Sequence, residues 1–458
     1  MTYRQLLASN PDFRRLWLGQ VVSEVGDWLN NIAVLALAIQ LTEGRSVGLA
    51  IAVYAVARHL PLFLFGPVAG VVVDRFDRRR VMIAADIVRA FLALGFLAAE
   101  RLASLPVIYA VGAALFSVAA FFNAAKRASI PNLVGGTEEL LNANSLSAST
   151  TAATIAVGSA LGGVVATALG RDTVFVLNAL TFLASAEMIR RIRKALSRRH
   201  EAGGAKDDSR LESLKSSDFK AEGVQATSRP LPSVMRRAAG EFREGLRYVR
   251  RDALLSGIFI VAAGWGLGNG AARALYSIFG ARLGEEEIMS WGAGARALIE
   301  RPTDFGISVL FVAMGLGGVL GAPLARRFNR AGGSGLGSRM GRSLFLDGCG
   351  LALFSLMPNL WGAALVLVAR EMNFAIWWTA QQTIMMKRTE DAFAGRVFAS
   401  YETLTTLTMV GSILVSGAAA DRVGIRVVAA GGGSVVILSG LFWFLLRRRA
   451  RARTSDGR

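Results

Sequence analysis

Long apolar runs recur along the whole chain, and short polar or charged segments separate them. A helix of about 20 residues is long enough to cross the roughly 30 Å hydrocarbon layer of a bilayer. The pattern therefore predicts an all-α integral membrane protein with twelve spanning helices. We expect these predicted spans at about 13–41, 47–73, 81–99, 105–125, 143–169, 173–189, 253–282, 305–325, 343–356, 360–386, 397–420 and 426–446.

One polar segment is much longer than the others. It is basic, contains scattered Gly, Ser and Pro, and is expected to be disordered over about 197–230. Near its end apolar residues return at helical spacing, which predicts a surface helix before the seventh span. These residues are Met235, Ala238, Ala239, Phe242, Leu246 and Val249. The pattern thus predicts a six-span half at 1–190, a cytoplasmic linker at 191–251 and a second half at 252–458.

Composition and charge agree with this organisation. Hydrophobic residues make up 53% of the 458 residues, and the mean hydropathy is +0.43. The 52 Lys and Arg against 33 Asp and Glu give a formal net charge of +19, which in a soluble protein would suggest a nucleic-acid partner. Most basic residues instead fall in alternate loops, as expected for cytoplasmic loops. We therefore expect both termini in the cytoplasm, the bilayer as a partner and no nucleic acid.

Several function classes have no support in the sequence. No lysine follows glycines in the spacing of a phosphate-binding loop, so ATP-driven transport by this chain is not expected. With one cysteine, Cys349, and two histidines, we expect no disulfide, metal site or other cofactor, and no enzyme activity. The first apolar run is too long for a cleavable signal peptide.

A short basic loop joins the second and third predicted spans. It reads Gly66-Pro-Val-Ala-Gly70-Val-Val-Val-Asp74-Arg75-Phe-Asp77-Arg78-Arg79-Arg80. This loop resembles the signature loop of the major facilitator superfamily, which usually has Gly where this chain has Asp77, a residue that tolerates a left-handed turn. The resemblance implies a gate in which Asp74 approaches the amino-terminal end of the eleventh span beside Arg396. The gate residues it implies are Gly70, Asp74, Arg75, Arg78, Arg79 and Arg396.

The second half repeats features of the first. Gly321 to Arg327 repeats the Gly70 loop, Asp347 matches Asp86, and Thr389-Glu390-Asp391 matches Thr137-Glu138-Glu139. Two six-helix repeats with a binding site between them are typical of this superfamily.

Within the superfamily, several stretches are similar to the bacterial exporter branch that holds macrolide efflux proteins and the enterobactin exporter. They are Pro11 to Gln20, Gly26-Asp27-Trp28, Arg58-His-Leu-Pro61, Asp74 to Arg79 and Gly395 to Phe398. This resemblance implies a monomer in the bacterial cytoplasmic membrane that exports a small molecule. The fifth span departs from the pattern of proton antiporters because it keeps their glycines, at Gly158 and Gly162-Gly163, without the usual proline.

Charged residues inside predicted spans are the candidate coupling residues. A charge at the centre of a spanning helix costs about 2.5–3.5 kcal/mol, so it needs a partner or a water-filled cavity. Asp27 and Arg58 lie at similar depth in the first two spans. Two interpretations stay open: Asp27 couples transport to protons, with Glu24 as the next candidate, or Asp27 and Arg58 form a purely structural ion pair.

The tenth span carries the candidate substrate residues. By the resemblance, spans 1, 4, 7 and 10 line the central cavity, so Arg370 and Glu371 are expected to face it. Trp378, Gln381 and Gln382 combine aromatic surface with amide groups, which suits a large amphipathic substrate, although Trp facing the bilayer is the alternative. Four other charged residues are expected near cytoplasmic helix ends, where they would support the gate loops: Asp86, Arg89, Asp347 and Glu402.

The sequence therefore predicts a secondary transporter that exports an amphipathic drug, macrolide or siderophore in exchange for protons by alternating access. Two alternatives remain open. The chain is an importer or lipid-moving transporter of the same fold, or it is a transport-inactive membrane scaffold or sensor. No feature of the sequence identifies the substrate.

Overall fold

A computed structural model describes residues 2–196, 231–291, 299–330 and 335–455, and the expected disorder over 197–230 lies outside these ranges. The described residues form fourteen helices. They are α1 Tyr3–Ser9, α2 Pro11–Leu41, α3 Val47–Arg75, α4 Arg78–Arg101, α5 Leu105–Leu133, α6 Thr137–Leu169, α7 Arg171–Arg190, α8 Leu231–Val249, α9 Ala253–Ser290, α10 Pro302–Arg330, α11 Leu336–Leu356, α12 Leu360–Arg388, α13 Asp391–Val423 and α14 Ile425–Ser455.

Twelve long helices correspond to the twelve predicted spans: α2–α7 form one group of six and α9–α14 the other. Eleven of the described helices are long and apolar enough to cross a membrane. The remaining one, α11, carries Arg339, Arg342 and Asp347 within 21 residues. The predicted all-α membrane fold is confirmed, and α8 is the predicted surface helix.

Side-chain caps fix where several helices begin. Asn10 accepts a hydrogen bond from the Phe13 amide at 2.9 Å, and Pro11 occupies the first turn of α2. Asp77 accepts from the Arg80 amide at 3.0 Å and so caps α4. Its φ of −61° is not left-handed, so the reason given above for Asp at this position is wrong. Asp replaces Gly here because its carboxylate satisfies a free helix amide.

Several helices extend beyond their predicted ends, and three of these ends change the interpretation. Helix α9 continues to Ser290, beyond the predicted loop start at residue 283, and α10 begins at Pro302. Helix α11 begins at Leu336, inside the predicted basic loop. Apolar length marks only the part of a helix inside the bilayer. Helices continue past it through polar and charged residues, as α9 does through Glu285, Glu286 and Glu287. As a consequence, Asp347 lies near the middle of α11.

The two groups of six contact each other mainly through α6 with α10 and α3 with α13. We call the end of the bundle that holds both chain termini and α8 the terminal end, and the other end the opposite end. A Cβ built on Gly48, at the opposite end of α3, would lie 2.3 Å from the Gly417 carbonyl of α13. At the terminal end, a Cβ on Gly70 or Gly395 would meet nothing within 4 Å. Helices α3 and α13 therefore touch at the opposite end and separate toward the terminal end.

Candidate substrate and coupling site

Three charged side chains from α2 and α4 form a network inside the first half. The Arg89 guanidinium donates to the Asp27 carboxylate at 2.6 Å and to the Asp86 carboxylate at 3.1 Å. Arg89 and Asp86 are buried, whereas the Asp27 side chain is 18% exposed. The i, i+3 spacing places Asp86 and Arg89 on one face of α4. One arginine thus pairs with two carboxylates, of which only Asp27 reaches solvent.

The predicted ion pair between Asp27 and Arg58 is wrong. Arg58 hydrogen-bonds the Asn31 side chain, one helical turn beyond Asp27 on α2, while Asp27 pairs with Arg89. Arg58 still lies within electrostatic range of Asp27. Counting residues from helix ends gives the depth of a side chain in the membrane, but it does not give the neighbour that the side chain faces.

Glu24 belongs to a second polar network of the first half, which joins α2, α5 and α6. Lys126 lies 3.3 Å from one Glu24 oxygen, and the Gln20 amide donates to the same oxygen at 2.9 Å. The Thr154 hydroxyl donates to the other oxygen at 3.1 Å. Both coupling candidates therefore contact a cation and lie within the same half.

Arg370 is the centre of the corresponding network in the second half. Its guanidinium lies 3.1 Å from Asp347, 3.3 Å from Glu371 and 2.8 Å from the Asn269 side chain, and it also donates to the Tyr276 hydroxyl. With 1% of its side chain exposed, Arg370 is inside the second half and does not face a cavity as expected. Glu371 keeps 13% of its side chain exposed.

The signature loop makes only some of its expected contacts. Arg78 donates to the Ala128 carbonyl at 2.6 Å, and Arg79 donates to the Lys194 carbonyl at 2.9 Å. These bonds tie the loop to the terminal ends of the first half. Asp74 is exposed and has no hydrogen bond or ion pair among the described residues. Its approach to α13 stays a prediction for a state that is closed at this end.

Helix α8 packs against the start of α13, the region that the resemblance predicts to contact Asp74. Glu244 of α8 lies 3.3 Å from Arg396 near the start of α13. The Ser400 hydroxyl of α13 donates to the Phe242 carbonyl at 3.2 Å. A Cβ on Gly245 would lie 2.6 Å from the Arg396 carbonyl, so the two helices approach closely there. The terminal end of α13 is therefore occupied by α8.

A buried ion pair joins the two halves at the opposite end. Arg171, the first residue of α7, donates to both oxygens of Asp304 in α10, at 3.1 and 2.7 Å. Both side chains are buried, and Arg171 also donates to Gln40 at 2.5 Å. Nearby, Asp421 of α13 accepts from the backbone amide of Gly48 at 2.8 Å. The sequence analysis did not single out these residues, which lie at helix ends where charges are common.

A profile of the Major Facilitator Superfamily matches residues 16–412. The chain belongs to this superfamily. The putative bacilysin exporter BacE of Bacillus subtilis is 27% identical over 89% of this chain and 88% of its own length. Macrolide efflux protein A of Streptococcus pyogenes is 36% identical over 17% of this chain and 18% of its own. A solved bacterial homologue of the human lysosomal transporter Spinster shares the fold, with 13% identity, a TM-score of 0.63, and coverage of 96% of this chain and 97% of that one.

These findings confirm the resemblance to the exporter branch. The chain is a multi-pass membrane transporter of small molecules and not an enzyme. Its two halves use the same arrangement, in which one arginine lies between two carboxylates. Arg89 and Asp347 lie near the middle of α4 and α11, so the expectation that they lie nearer the cytoplasmic helix ends is wrong. Asp86 lies nearer the start of α4 than its end and belongs to the same network as Arg89.

The aromatic residues of α12 form a cluster inside the second half. Trp378 lies 5.9 Å from Phe374 and 6.2 Å from Tyr401, measured between ring centroids, and it remains half-buried. Gln381 is fully buried and hydrogen-bonds the Tyr401 hydroxyl, whereas Gln382 is half-buried. Trp378 and Gln382 therefore remain partly accessible in this state, and Gln381 does not.

The sequence analysis missed two cationic or titratable residues near the centre of this transporter. Arg273 is exposed in the middle of α9, between stretches of buried residues. His59 is half-buried next to Arg58, and its ring nitrogen lies 2.8 Å from the Ala55 carbonyl. The signal for Arg273 was available, since an arginine inside an apolar run is a candidate functional residue by itself.

Proposed function

We propose that this transporter exports an amphipathic small molecule across a bacterial cytoplasmic membrane in exchange for protons. The observation that carries the proposal is Asp27, a carboxylate in the middle of α2 that is bonded to a buried arginine and remains partly exposed. An ionisable group at this depth marks a substrate or proton pathway. The relatives named as a bacilysin exporter and a macrolide efflux protein favour export over import.

The basic residues set the orientation in this proposal. The signature loop, the residues that follow α7 and the end of α14 all carry clustered arginines at the terminal end. The positive-inside rule then makes the terminal end cytoplasmic. In that orientation the separation of α3 from α13 gives an inward-open state, and the Arg171–Asp304 pair closes the external side.

In alternating access, the contact between the halves at the external side opens and a contact at the cytoplasmic side forms. Export requires the Arg171–Asp304 pair to break and the cytoplasmic ends of α3 and α13 to meet, which brings Asp74 toward the start of α13. Protonation of Asp27 weakens its bond to Arg89 and so changes the relative stability of the two states. A proton entering from outside and leaving inside supplies the driving force.

The proposal is tested in two steps. A deletion strain is screened for hypersensitivity to drugs, macrolides and siderophores, and one compound that gives hypersensitivity is then followed in proteoliposomes containing the purified chain. We expect compound movement to require a pH gradient and to acidify the compartment from which the compound leaves. Compound movement at the same rate with and without a pH gradient would exclude proton exchange. Movement only from the external side of the protein to its cytoplasmic side would exclude export.

A further inference from the structure

Each half of the transporter contains one arginine near its centre that contacts no carboxylate of the described residues. The other central cations are paired: Arg89 and Arg370 each serve two acids, and Lys126 pairs with Glu24. The two that remain are Arg58 of α3 and Arg273 of α9. A charge at this depth needs a compensating partner or water.

Arg273 faces the space between the halves. It follows Asn269 by four residues and Gly266 by seven, so it shares a face with them. Asn269 contacts α12, and Gly266 packs against α13. The exposed stripe of α9 that carries Ile260 and Leu267 is a different face. Arg273 is nevertheless exposed, on the face of α9 that is turned toward the other helices and away from the apolar stripe.

Arg58 is held in place by neutral groups. Its guanidinium lies 4.8 Å from the centroid of the Trp28 ring and 4.8 Å from that of Phe116. Its polar neighbours are the Asn31 amide and the Tyr54 hydroxyl. These contacts orient the side chain but form no ion pair, and Asp27, the carboxylate within electrostatic range of Arg58, has its ion pair with Arg89. The five N–H donors of the guanidinium therefore contact no carboxylate of the described residues.

Arg58 and Arg273 lie on neighbouring helices of different halves. Helices α3 and α9 are in contact, and His59 lies within electrostatic range of both Arg58 and Arg273. Glu371 on α12 is the carboxylate within electrostatic range of Arg273, but its ion pair is with Arg370. Two like charges that face one space repel each other, and a bound anion removes that repulsion.

We propose that Arg58 and Arg273 together bind an acidic group of the transported molecule, so that the substrate is an organic anion with an apolar ring attached. Guanidinium groups bind carboxylate, sulfonate and phosphate oxygens through paired hydrogen bonds. Trp28, which lies beside Arg58 and is only half-buried, provides aromatic surface for the remainder of the molecule. The inference rests on the proposed function only in taking the central space as the substrate site.

This arrangement also gives the substrate a means to act on conformation. Arg58 belongs to the first half and Arg273 to the second, so an anion that binds both draws the halves together around it. Binding energy of this kind favours the state in which both arginines are closest to the anion. A neutral molecule of the same shape lacks this effect.

The test compares 2-naphthylacetate with its neutral amide, 2-naphthylacetamide, on the purified full chain in detergent. Affinity is measured by quenching of tryptophan fluorescence and by the shift in Tm. We expect the acid to bind at least about tenfold more tightly than the amide, a difference of about 1.4 kcal/mol. Arg58→Gln and Arg273→Gln should each remove most of the preference for the acid. Arg282→Gln, an exposed arginine on the same helix near the opposite end, should keep it.

Two further variants separate charge from folding. Arg58→Lys and Arg273→Lys keep the positive charge and should retain part of the preference, even where a Gln variant unfolds. Equal binding of acid and amide to the unchanged protein would overturn the proposal, as would a full preference in both Gln variants. The assay needs no pH gradient, so acid-selective binding without gradient-driven movement would overturn proton exchange and leave this inference standing.

Discussion

At the scale of single residues, the coupling candidates are acids that share an arginine. Each half has two carboxylates around one guanidinium, so each network holds one negative charge in excess that a single proton neutralises. In each network one acid is buried, Asp86 or Asp347, and the other keeps contact with solvent, Asp27 or Glu371. A proton from the central space therefore reaches Asp27 and Glu371 first.

The first prediction is that Asp27→Asn abolishes movement driven by a pH gradient but retains exchange of substrate across proteoliposomes at equal pH. The amide resembles the protonated acid and cannot release a proton. Breaking a buried ion pair costs about 3–5 kcal/mol of stability. We expect a loss of no more than about 3 kcal/mol here, because Arg89 remains paired with Asp86. The measurements are both transport modes and the Tm.

Two further variants test the ion-pair assignment and the choice of coupling acid. Because Arg58 is not the ion-pair partner of Asp27, adding Arg58→Gln should not restore stability to Asp27→Asn. Glu24→Gln should keep gradient-driven movement if Asp27 is the coupling acid. A well-folded Asp27→Asn protein with full gradient-driven movement would refute the role and leave Glu24 as the next candidate.

At the scale of elements, α8 is a part of the fold and not a loose linker helix. Its apolar residues Leu246 and Val249 pack into the core of the second half, and Tyr248 stacks on Phe393 at 4.6 Å. Asp252 then caps α9. Its partial burial opposes ionisation, but hydrogen bonds from the Leu255 amide, Arg388 and the Leu254 amide outweigh burial and hold the pKa of Asp252 below its ordinary value.

The second prediction is that Gly245→Leu detaches α8 from α13. A Cβ at this position would lie 2.2 Å from the Ser400 hydroxyl oxygen and 2.6 Å from the Arg396 carbonyl, so a larger side chain cannot be accommodated without separating the helices. Hydrogen exchange of the backbone amides at 241–249 should become faster. The matched control is Gly240→Leu on the same helix, where a Cβ would meet nothing within 4 Å. Equal exchange rates in the two variants would contradict the packing.

At the scale of the whole molecule, the two halves close against each other at the opposite end, whereas at the terminal end α3 and α13 separate and Arg326 still donates to the Tyr3 hydroxyl of the other half at 3.2 Å. The closure combines close glycine contacts between α3 and α13 with the buried Arg171–Asp304 pair between α7 and α10. A buried pair of this kind is costly to break by removing one partner, because the other charge remains buried without compensation. Opening at this end therefore has to provide water to both side chains.

The third prediction is that Asp304→Asn favours opening at the opposite end. The reporter is Ser308→Cys, buried in this state between α10 and α6, with Cys349→Ser to remove the native thiol. Maleimide that cannot cross membranes, added to intact cells, should label this cysteine faster in Asp304→Asn than in the parent. Asp304→Glu, which keeps the charge, and Glu285→Gln, an exposed acid at the same end, serve as controls. Labelling that is unchanged by Asp304→Asn would argue against a gate here.

Much of the fold could be predicted from the sequence because the bilayer restricts it strongly. Apolar length identifies a spanning helix, basic loops indicate its orientation, and the loop from Gly66 to Arg80 identifies the superfamily. The surface helix α8 was predicted from the spacing of Phe242, Leu246 and Val249. Helix ends outside the hydrocarbon were predicted less well, as α9 and α11 illustrate, because apolar length gives no information on helix beyond the membrane.

The sequence by itself also determined which ionisable residues lie within the membrane, since Asp27, Arg58, Arg370 and Glu371 stand out against apolar neighbours. Only the tertiary structure decided how they pair. Depth follows from counting residues along a helix, but the partner depends on how each helix is rotated and which helix packs beside it. For that reason Asp27 was placed near the middle of its helix, as observed, but was given the wrong arginine, and Arg370 was expected at a cavity although it lies inside its half. The two arginines without a carboxylate partner became apparent only once the other central cations of the described residues had been paired with acids.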